Sequence, residues 1–257
     1  MRLKKIALMI LWLFAFACNA KQIAIVIDDI GNHQRDLELL NLPGEVTYAL
    51  LPHTPFSQHF AYQAALKKKE LILHIPMQSL DNKALGPGGL TLDMQKWQLQ
   101  KTLGHALSSL PHVKGVNNHM GSALTQHDEP MKWTMEVLKK RSLYFLDSRT
   151  TPYSQAQTMA NLYGVNNIAR HVFIDNELES SQLEIQLNQL KTIATEQGYA
   201  IGIAHPYPQT QQFLTHALRE LQLQGFELVT LSTLVENKYV RLAALQKPAP
   251  HTRKRHE

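Results

Sequence analysis

The sequence predicts a single α/β domain in which seven to eight parallel strands and their crossover helices form a (β/α) barrel. Short apolar, β-rich runs recur along the chain, at residues 23–29, 46–52, 71–77, 113–119, 143–149, 170–175, 200–206 and 226–232. Segments with helical periodicity separate most of these runs, which is the pattern of βα units and a largely parallel sheet. Seven or eight such units in one domain favour a barrel over an open sheet.

Helix signals support this alternation. Four segments between the runs have helical periodicity: residues 55–69, 93–110, 180–198 and 209–225. The second begins at Asp93, a favourable N-cap residue, and its Trp97 is expected in the core. The third carries Ser181 and Glu184 at the spacing of a capping box and closes on Gly198, which predicts both of its ends.

The two ends of the chain differ from this domain. Residues 1–20 combine a basic start, an apolar run at 6–17 and small residues before Lys21, which predicts a secretory signal peptide cleaved after Ala20. A retained anchor is the alternative, although the run is shorter than the about 20 residues that a spanning helix needs. We therefore expect a periplasmic protein without a stable membrane span, a barrel domain at 21–240 and a basic, disordered tail at 241–257.

Composition restricts the chemistry. The formal charge of +5 falls to +2 once Arg2, Lys4 and Lys5 leave with the signal peptide, so we expect no nucleic-acid partner. The single cysteine, Cys18, would leave with it, and the mature protein would have neither a disulfide nor thiol chemistry. A hydrophobic content of 44% in 257 residues supports a sizeable core, and we predict no obligate protein partner.

Polar side chains follow most of the apolar runs. In order along the chain these are Asp28, Asp29, His53, His74, Asn117, Asn118, His119, Asp147, Arg149, Asp175 and His205. The carboxyl ends of parallel barrel strands meet at one mouth, where barrel enzymes hold their active sites, so residues far apart in sequence converge there. Taken singly, each residue is more often a cap or a hydrogen-bonded loop residue than a ligand.

Three of these residues together predict a metal site. Asp29, His74 and His119 follow different strands and can form an Asp-His-His set, which suits zinc or a related transition metal and leaves a position open. Adjacent strand residues point to opposite faces, so Asp28 and Asp29 can both reach the mouth only where the strand becomes irregular. Two carboxylates this close repel each other unless a cation or a shared proton lies between them.

The segments IVIDDIGN, LLP, LHIPM, NNHMGS, FLDSRT and AHP, in this order, resemble the divergent polysaccharide deacetylase family. This family lies within the wider polysaccharide deacetylase (carbohydrate esterase) superfamily, and the resemblance spans residues 22–238. It implies a distorted (β/α) barrel and the metal-dependent removal of N- or O-linked acetyl groups from a cell-envelope polysaccharide or peptidoglycan-type glycan.

The resemblance also implies a role for each matching residue. Asp28 would be the general base and His205 the general acid, while Asp29, His74 and His119 would hold one divalent transition metal, which we expect to be zinc. Four further residues would orient these groups: Asn118, Asp147, Arg149 and Asp175.

The chain departs from the wider superfamily at one metal ligand. Ordinary members take two histidines from one HxxxH-type segment, whereas Gln78 stands where the second would follow His74. The resemblance then takes the other histidine from the next strand.

Two further functions stay open at this point. One is a non-catalytic periplasmic protein that keeps the barrel for glycan binding or regulation. The other is a metal hydrolase of phosphoester or peptide bonds. An anionic phosphate substrate is disfavoured because few basic residues besides Arg149 and Arg170 are expected at the mouth.

Overall fold

Strands and helices alternate along residues 21–245, the part of the chain that the computed structural model describes. The strands are β1 (Lys21–Ile30), β2 (Val46–Leu50), β3 (Glu70–Met77), β4 (Gly115–Met120), β5 (Tyr144–Asp147), β6 (Asn167–Ala169), β7 (Val172–Phe173), β8 (Tyr199–Ala204) and β9 (Phe226–Leu228). The α-helices are α1 (Ser57–Leu66), α2 (Lys96–Ser109), α3 (Asp128–Lys140), α4 (Ala156–Leu162), α5 (Ser180–Gln197), α6 (Pro208–Leu223) and α7 (Leu231–Leu245). Two 3₁₀ helices cover Gln34–Asn41 and Leu124–Gln126.

The predicted signal peptide, 1–20, and the end of the predicted tail, 246–257, lie outside the described residues. Helix α7 extends to Leu245 and so covers the first five residues of the range that was predicted as a tail. Within the described part of the chain, no helix is both long and apolar enough to cross a bilayer.

The sheet is parallel and curls round on itself. Its strand order is β6-β5-β4-β3-β2-β1-β8-β7, and β9 pairs with the start of β1. The edge strands β6 and β7 are joined by only Arg170 and His171, so their ends lie within about 11 Å of each other. Arg170 N–H donates to Asp147 O on one edge and His171 N–H donates to Ile201 O on the other. The predicted fold class, a distorted (β/α) barrel, is confirmed.

The connection between the two edge strands shows that one predicted strand was wrong. A single strand over 170–175 was wrong, because residues 170–171 carry the chain from one edge of the sheet to the other. Within 170–175 only Val172 and Phe173 form a strand, β7, and the strand that precedes them, β6 (Asn167–Ala169), was not predicted.

Alternating side chains give the barrel two apolar layers and a polar mouth. On β1, Ile23, Ile25 and Ile27 pack against the outer helices, whereas Ala24 and Val26 belong to a separate inner cluster. Helix α7 packs on that inner cluster. The residues that continue the inward series at the carboxyl ends of their strands are polar: Asp28 on β1, His74 on β3, Asn117 and His119 on β4, Ser148 after β5 and His205 after β8.

Two helix starts and one core assignment differ from the predictions. Helix α2 is capped by Gln95 and not by Asp93, because the Asp93 carboxylate is hydrogen-bonded to Thr91 in the preceding loop. Trp97 is 61% exposed, so its assignment to the core was wrong. Its indole N–H donates to Gln95 Oε1 on the helix surface, at 3.2 Å.

Helix α5 starts one residue earlier than its predicted cap. Its N-cap is Glu179, which makes no side-chain capping bond, so the capping box of Ser181 and Glu184 was wrong. Both residues lie inside the first turns of the helix. The predicted C-terminus is confirmed, because Gly198 takes the left-handed conformation (φ 83°) that ends the helix.

A half-buried carboxylate, Glu70, lies at the end of the barrel opposite the mouth, and we predict that it stabilises the fold. Glu70 Oε1 accepts hydrogen bonds from Thr47 Oγ1 (2.9 Å), Tyr144 OH (3.1 Å) and Ser232 N (3.0 Å), which joins three strands to the start of α7. We expect Glu70→Ala to lower the free energy of unfolding by about 2–3 kcal/mol, since buried donors lose a charged acceptor. Urea denaturation measures this, with exposed Glu45→Ala as control. A change below about 0.5 kcal/mol for Glu70→Ala would contradict the prediction.

Candidate metal centre and active site

An irregularity in β1 brings the two adjacent aspartates to the same site. The pairing of β1 with β2 shifts register between Ile27 and Ile30, and Asp29 has a φ of 59°. A regular strand would direct Asp28 inward and Asp29 toward the helices. The left-handed residue at the bulge turns Asp29 back to the mouth, a conformation that non-glycine residues rarely adopt outside special sites.

Asp29, His74 and His119 present three donor atoms to one point. Asp29 Oδ1 lies 2.7 Å from His119 Nδ1 and 3.0 Å from His74 Nε2, and the two ring nitrogens are 3.2 Å apart. All three ligand atoms fall within 4.8 Å of one another. The buried Asp29 Oδ1 nevertheless has no aligned hydrogen bond among the described residues, as expected for atoms directed at a shared centre. One carboxylate and two imidazoles fit a divalent transition metal.

The two neighbouring carboxylates have opposite pKa shifts. Burial raises the pKa of Asp28 above its ordinary value, and the nearby His74 and His205 only partly oppose this. Burial also acts to raise the pKa of Asp29, but contacts with His119 and His74 outweigh it and hold that pKa well below its usual range. Asp29 is therefore suited to remain an anionic ligand and Asp28 to accept a proton.

A buried amide, Asn117, connects the proposed base to a proposed ligand. Its Oδ1 lies 2.8 Å from His74 Nδ1, and its Nδ2 donates to both oxygens of Asp28 at 2.9 and 3.1 Å. A third contact of Nδ2 is Ser148 Oγ at 3.2 Å. A proton on His74 Nδ1 leaves Nε2 as the ligand atom, which is the usual way a partner orients a metal-binding histidine.

At the same mouth, His205 pairs with Asp175. His205 Nδ1 lies 2.9 Å from Asp175 Oδ1, the backbone N–H of His205 donates to Asp175 Oδ2 at 2.6 Å, and Thr210 Oγ1 donates to Oδ2 at 2.9 Å. Burial acts to lower the pKa of His205, but Asp175 more than offsets it and raises that pKa to about 9. His205 is therefore held as a proton donor near neutral pH.

Comparison with known proteins identifies the family. The family model described as divergent polysaccharide deacetylase matches residues 25–235. The chain belongs to the divergent polysaccharide deacetylase family.

Relatives and solved structures similar to this chain match most of its length. An uncharacterized protein of Haemophilus influenzae is 34% identical over 227 residues, which cover 88% of this chain and 81% of the relative. The crystal structure of an uncharacterized protein from Agrobacterium tumefaciens is 24% identical with a TM-score of 0.80, covering 83% of this chain and 88% of that one. A CE4 family pseudoenzyme from Bacillus anthracis is 14% identical with a TM-score of 0.52, covering 84% and 66%. Both solved structures are less than 25% identical to this chain, so their similarity shows a shared fold.

Three predicted site residues stabilise the loops around the ligand set. Asn118 accepts a hydrogen bond from Ser148 N–H (3.0 Å) and donates to Met120 O (2.7 Å), so it joins the ends of β4 and β5 beside His119. Asp147 accepts from Arg149 N–H at 2.9 Å, and burial raises the pKa of Asp147. The Arg149 guanidinium is bonded to Gln157 Oε1 on α4 at 2.8 Å. These residues surround the ligand set and are not part of it.

Gln78, which stands where the wider superfamily has a second histidine, holds a loop in this protein. Its Oε1 accepts from Leu92 N–H at 2.8 Å, and its backbone N–H donates to Leu90 O at 2.9 Å. The side chain therefore secures the 79–92 loop beside the mouth, and the next strand supplies the second imidazole through His119.

Sequence reasoning placed Asn117 and Arg170 at the mouth without giving either a role, and it did not name Ser148. Strand alternation could have indicated Asn117, because it shares a face of β4 with His119, whereas Asn118 lies on the other face. Arg170 Nε donates to Ser148 O at 2.7 Å and Nη2 donates to Arg149 O at 2.8 Å, so it fastens the loop after β5. No signal in the sequence indicates that contact, because it depends on the crossing between the sheet edges.

Proposed function

We propose that this protein is a periplasmic, metal-dependent hydrolase that removes N- or O-linked acetyl groups from a cell-envelope polysaccharide. The observation that carries the proposal is the convergence of an Asp-His-His ligand set, a separate carboxylate with a raised pKa and an aspartate-paired histidine at one mouth. Family membership supports the glycan as the substrate class.

In the proposed reaction Asp28 is the proton acceptor. Asn117 holds both of its oxygens in place, and burial shields the carboxylate from bulk water, so Asp28 can take a proton from an attacking water beside the ligand set. Asp29, His74 and His119 would hold the metal, which we propose is zinc. When bound, such an ion supplies Lewis acidity toward a carbonyl and lowers the pKa of water.

His205 is the proposed proton donor on the leaving-group side. Its Nδ1 is engaged by Asp175, which leaves Nε2 as the atom that can protonate a departing sugar amine or hydroxyl. Two aromatic side chains near the mouth support a sugar substrate, since sugar rings pack on aromatic faces. Tyr153 follows β5 and is 70% exposed, and Tyr207 is 44% exposed with its ring centred 6.0 Å from that of His205.

The pH dependence of the reaction follows from the His205–Asp175 pair. A donor must be protonated, so kcat is expected to fall as the pH rises through the pKa of His205, at pH 9 or lower because a bound cation repels the protonated ring. In Asp175→Asn the strongest influence that raises this pKa is lost, so burial is opposed only by the more distant charges of Asp28 and Asp29 and the pKa of His205 falls. The alkaline limb of the kcat profile should therefore move to lower pH. An unchanged limb would exclude His205 as the donor.

Release of acetate is the direct test of the proposed function. The chain from Lys21 onward, loaded with zinc, would be incubated separately with N-acetylated chitooligosaccharides and with O-acetylated glycan. Acetate formation that disappears when a chelator removes the zinc would support the proposal. A well-folded, zinc-loaded protein that releases no acetate from either substrate would contradict it.

The second candidate function is a non-catalytic glycan-binding or regulatory protein that retains the barrel. Two observations favour it: Gln78 replaces a histidine of the wider superfamily, and a neighbour with the same fold is described as a CE4 family pseudoenzyme. Glycan binding without acetate release would select this function.

A further inference from the structure

Positive charge is concentrated at the end of the barrel opposite the mouth. The last turn of α3 and the three successive helix-to-strand turns after α1, α2 and α3 carry seven basic residues, which we call the basic end face: Lys67, Lys68, Lys69, Lys114, Lys139, Lys140 and Arg141. Helices in a (β/α) barrel end where the next strands begin, so these turns lie together at the amino ends of β3, β4 and β5. Glu70 follows the first of these turns as the first residue of β3, and its carboxylate is bonded to Thr47, Tyr144 and Ser232.

The charges of the basic end face are mostly exposed and form no ion pair among the described residues, although Glu236 lines the same cavity as Lys114 and Lys139. Six of the seven residues are exposed and Lys69 is half-buried. Within residues 21–245 none of the seven forms a salt bridge, and the partners that are present are neutral. Lys67 donates to Asn41 Oδ1, and Lys139 donates to Gly164 O. The loops at the mouth, by contrast, carry mostly carboxylates, so the two ends of the barrel differ in charge.

We propose that the basic end face docks on an anionic lipid bilayer. A broad set of short turns at one end of a barrel suits a flat surface, and exposed lysines attract anionic headgroups. The described chain enters the barrel at this same end, because Lys21, a further exposed lysine, begins β1. A glycan substrate is a poorer match for this surface, since the proposed catalytic residues all lie at the other end.

Docking in this orientation directs the mouth away from the bilayer. The eight residues of β3 separate the two ends by about 25 Å. The mouth would then face polymer that lies beyond the membrane. Contact between the basic end face and the bilayer would not block the mouth. Docking of the basic end face requires no catalytic activity at the mouth.

The strength of binding to an anionic bilayer can be estimated from the number of basic residues that contact it. Each basic residue close to an anionic bilayer strengthens partitioning by roughly fivefold, so three such residues contribute about 100-fold. The attraction acts over about 8 Å at physiological ionic strength, so the binding should weaken as salt increases.

Vesicle sedimentation with matched charge variants tests the proposal. The chain from Lys21 onward carries the whole described barrel and would be mixed with vesicles of phosphatidylethanolamine and phosphatidylglycerol, or of phosphatidylcholine alone. The test variant reverses three exposed residues of the basic end face: Lys114→Glu, Lys140→Glu and Arg141→Glu. The control reverses three exposed residues elsewhere: Arg35→Glu, Lys83→Glu and Lys101→Glu. Circular dichroism would verify that both variants are folded.

We expect the wild type to sediment with the anionic vesicles only, the test variant to lose at least about 100-fold in partitioning, and the control to bind nearly as the wild type does. Equal losses in the two variants, equal binding to phosphatidylcholine or no sedimentation of the wild type would overturn the proposal. Binding to a soluble anionic polysaccharide without binding to the vesicles would also overturn it, in favour of a glycan partner.

Discussion

Replacing Asp28 with asparagine is expected to lower kcat for acetate release by about 10²–10⁴-fold, with the bound metal retained. Asparagine keeps the size of the side chain and an oxygen that Asn117 can bond, but it cannot accept the proton of the attacking water. Asp28 Oδ2 lies 3.6 Å from His74 Nε2, so the substitution leaves the Asp29, His74 and His119 donors in place. Steady-state kinetics and metal analysis of the same preparation measure both effects.

Asp81→Asn provides the matched control for this substitution. Asp81 follows β3, is exposed and pairs with Lys83, so the same chemical change there should leave kcat unaltered. Retention of more than about a tenth of the wild-type kcat in Asp28→Asn would exclude Asp28 as the general base. Loss of the metal in Asp28→Asn would instead place Asp28 among the ligands.

Removal of either imidazole from the ligand set is expected to lower zinc affinity at least about 100-fold, since a three-donor site becomes a two-donor site. The wild type should bind about one zinc per chain, and His74→Ala and His119→Ala should each lose it at zinc concentrations that saturate the wild type. Titration against a competing chelator measures the affinity, and the rise in Tm on adding zinc gives an independent readout. His53→Ala, at an exposed histidine after β2, should bind zinc as the wild type does.

Asn117→Ala should have an intermediate effect in the same experiment. Asn117 contacts His74 Nδ1 and is not itself a ligand, so its loss should cost about 10–100-fold in affinity. Full zinc binding by His74→Ala or His119→Ala would disprove the ligand assignment. A wild type that contains no metal and binds neither zinc, cobalt nor nickel would exclude the proposed catalytic mechanism altogether.

Much of the fold follows from patterns that neighbouring residues produce. Apolar runs of strand length ending in polar residues predict a parallel barrel and the mouth at which Asp28, His74 and His119 meet. This succeeds because strand alternation and βα connectivity are local rules, and parallel connection places the carboxyl ends of all strands on one side. The C-terminus of α5 at Gly198 was predictable for the same reason, since a glycine there accommodates the left-handed residue that ends a helix.

Other features depend on which side chain from a distant segment lies nearby. Aspartate is a residue type that favours the N-cap position, but Thr91 donates a hydrogen bond to the Asp93 carboxylate, and Gln95 is the N-cap of α2. Tryptophan is a residue type expected in a core, yet the part of α2 that carries Trp97 faces solvent. Propensities describe one element at a time, whereas burial and capping depend on the partners that packing brings to it.

The sequence by itself determined the barrel class, the sequence positions of the polar strand ends and the residue types of the Asp-His-His set. Only the tertiary structure decided that Asp29 adopts a left-handed backbone, that Asn117 joins Asp28 to His74 and that Arg170 carries the chain between the sheet edges. The physical reason is the range of the interactions. Periodicity is set by backbone geometry over a few residues, whereas a strained φ or a buried amide bridge is stabilised only by groups that the closed barrel brings together.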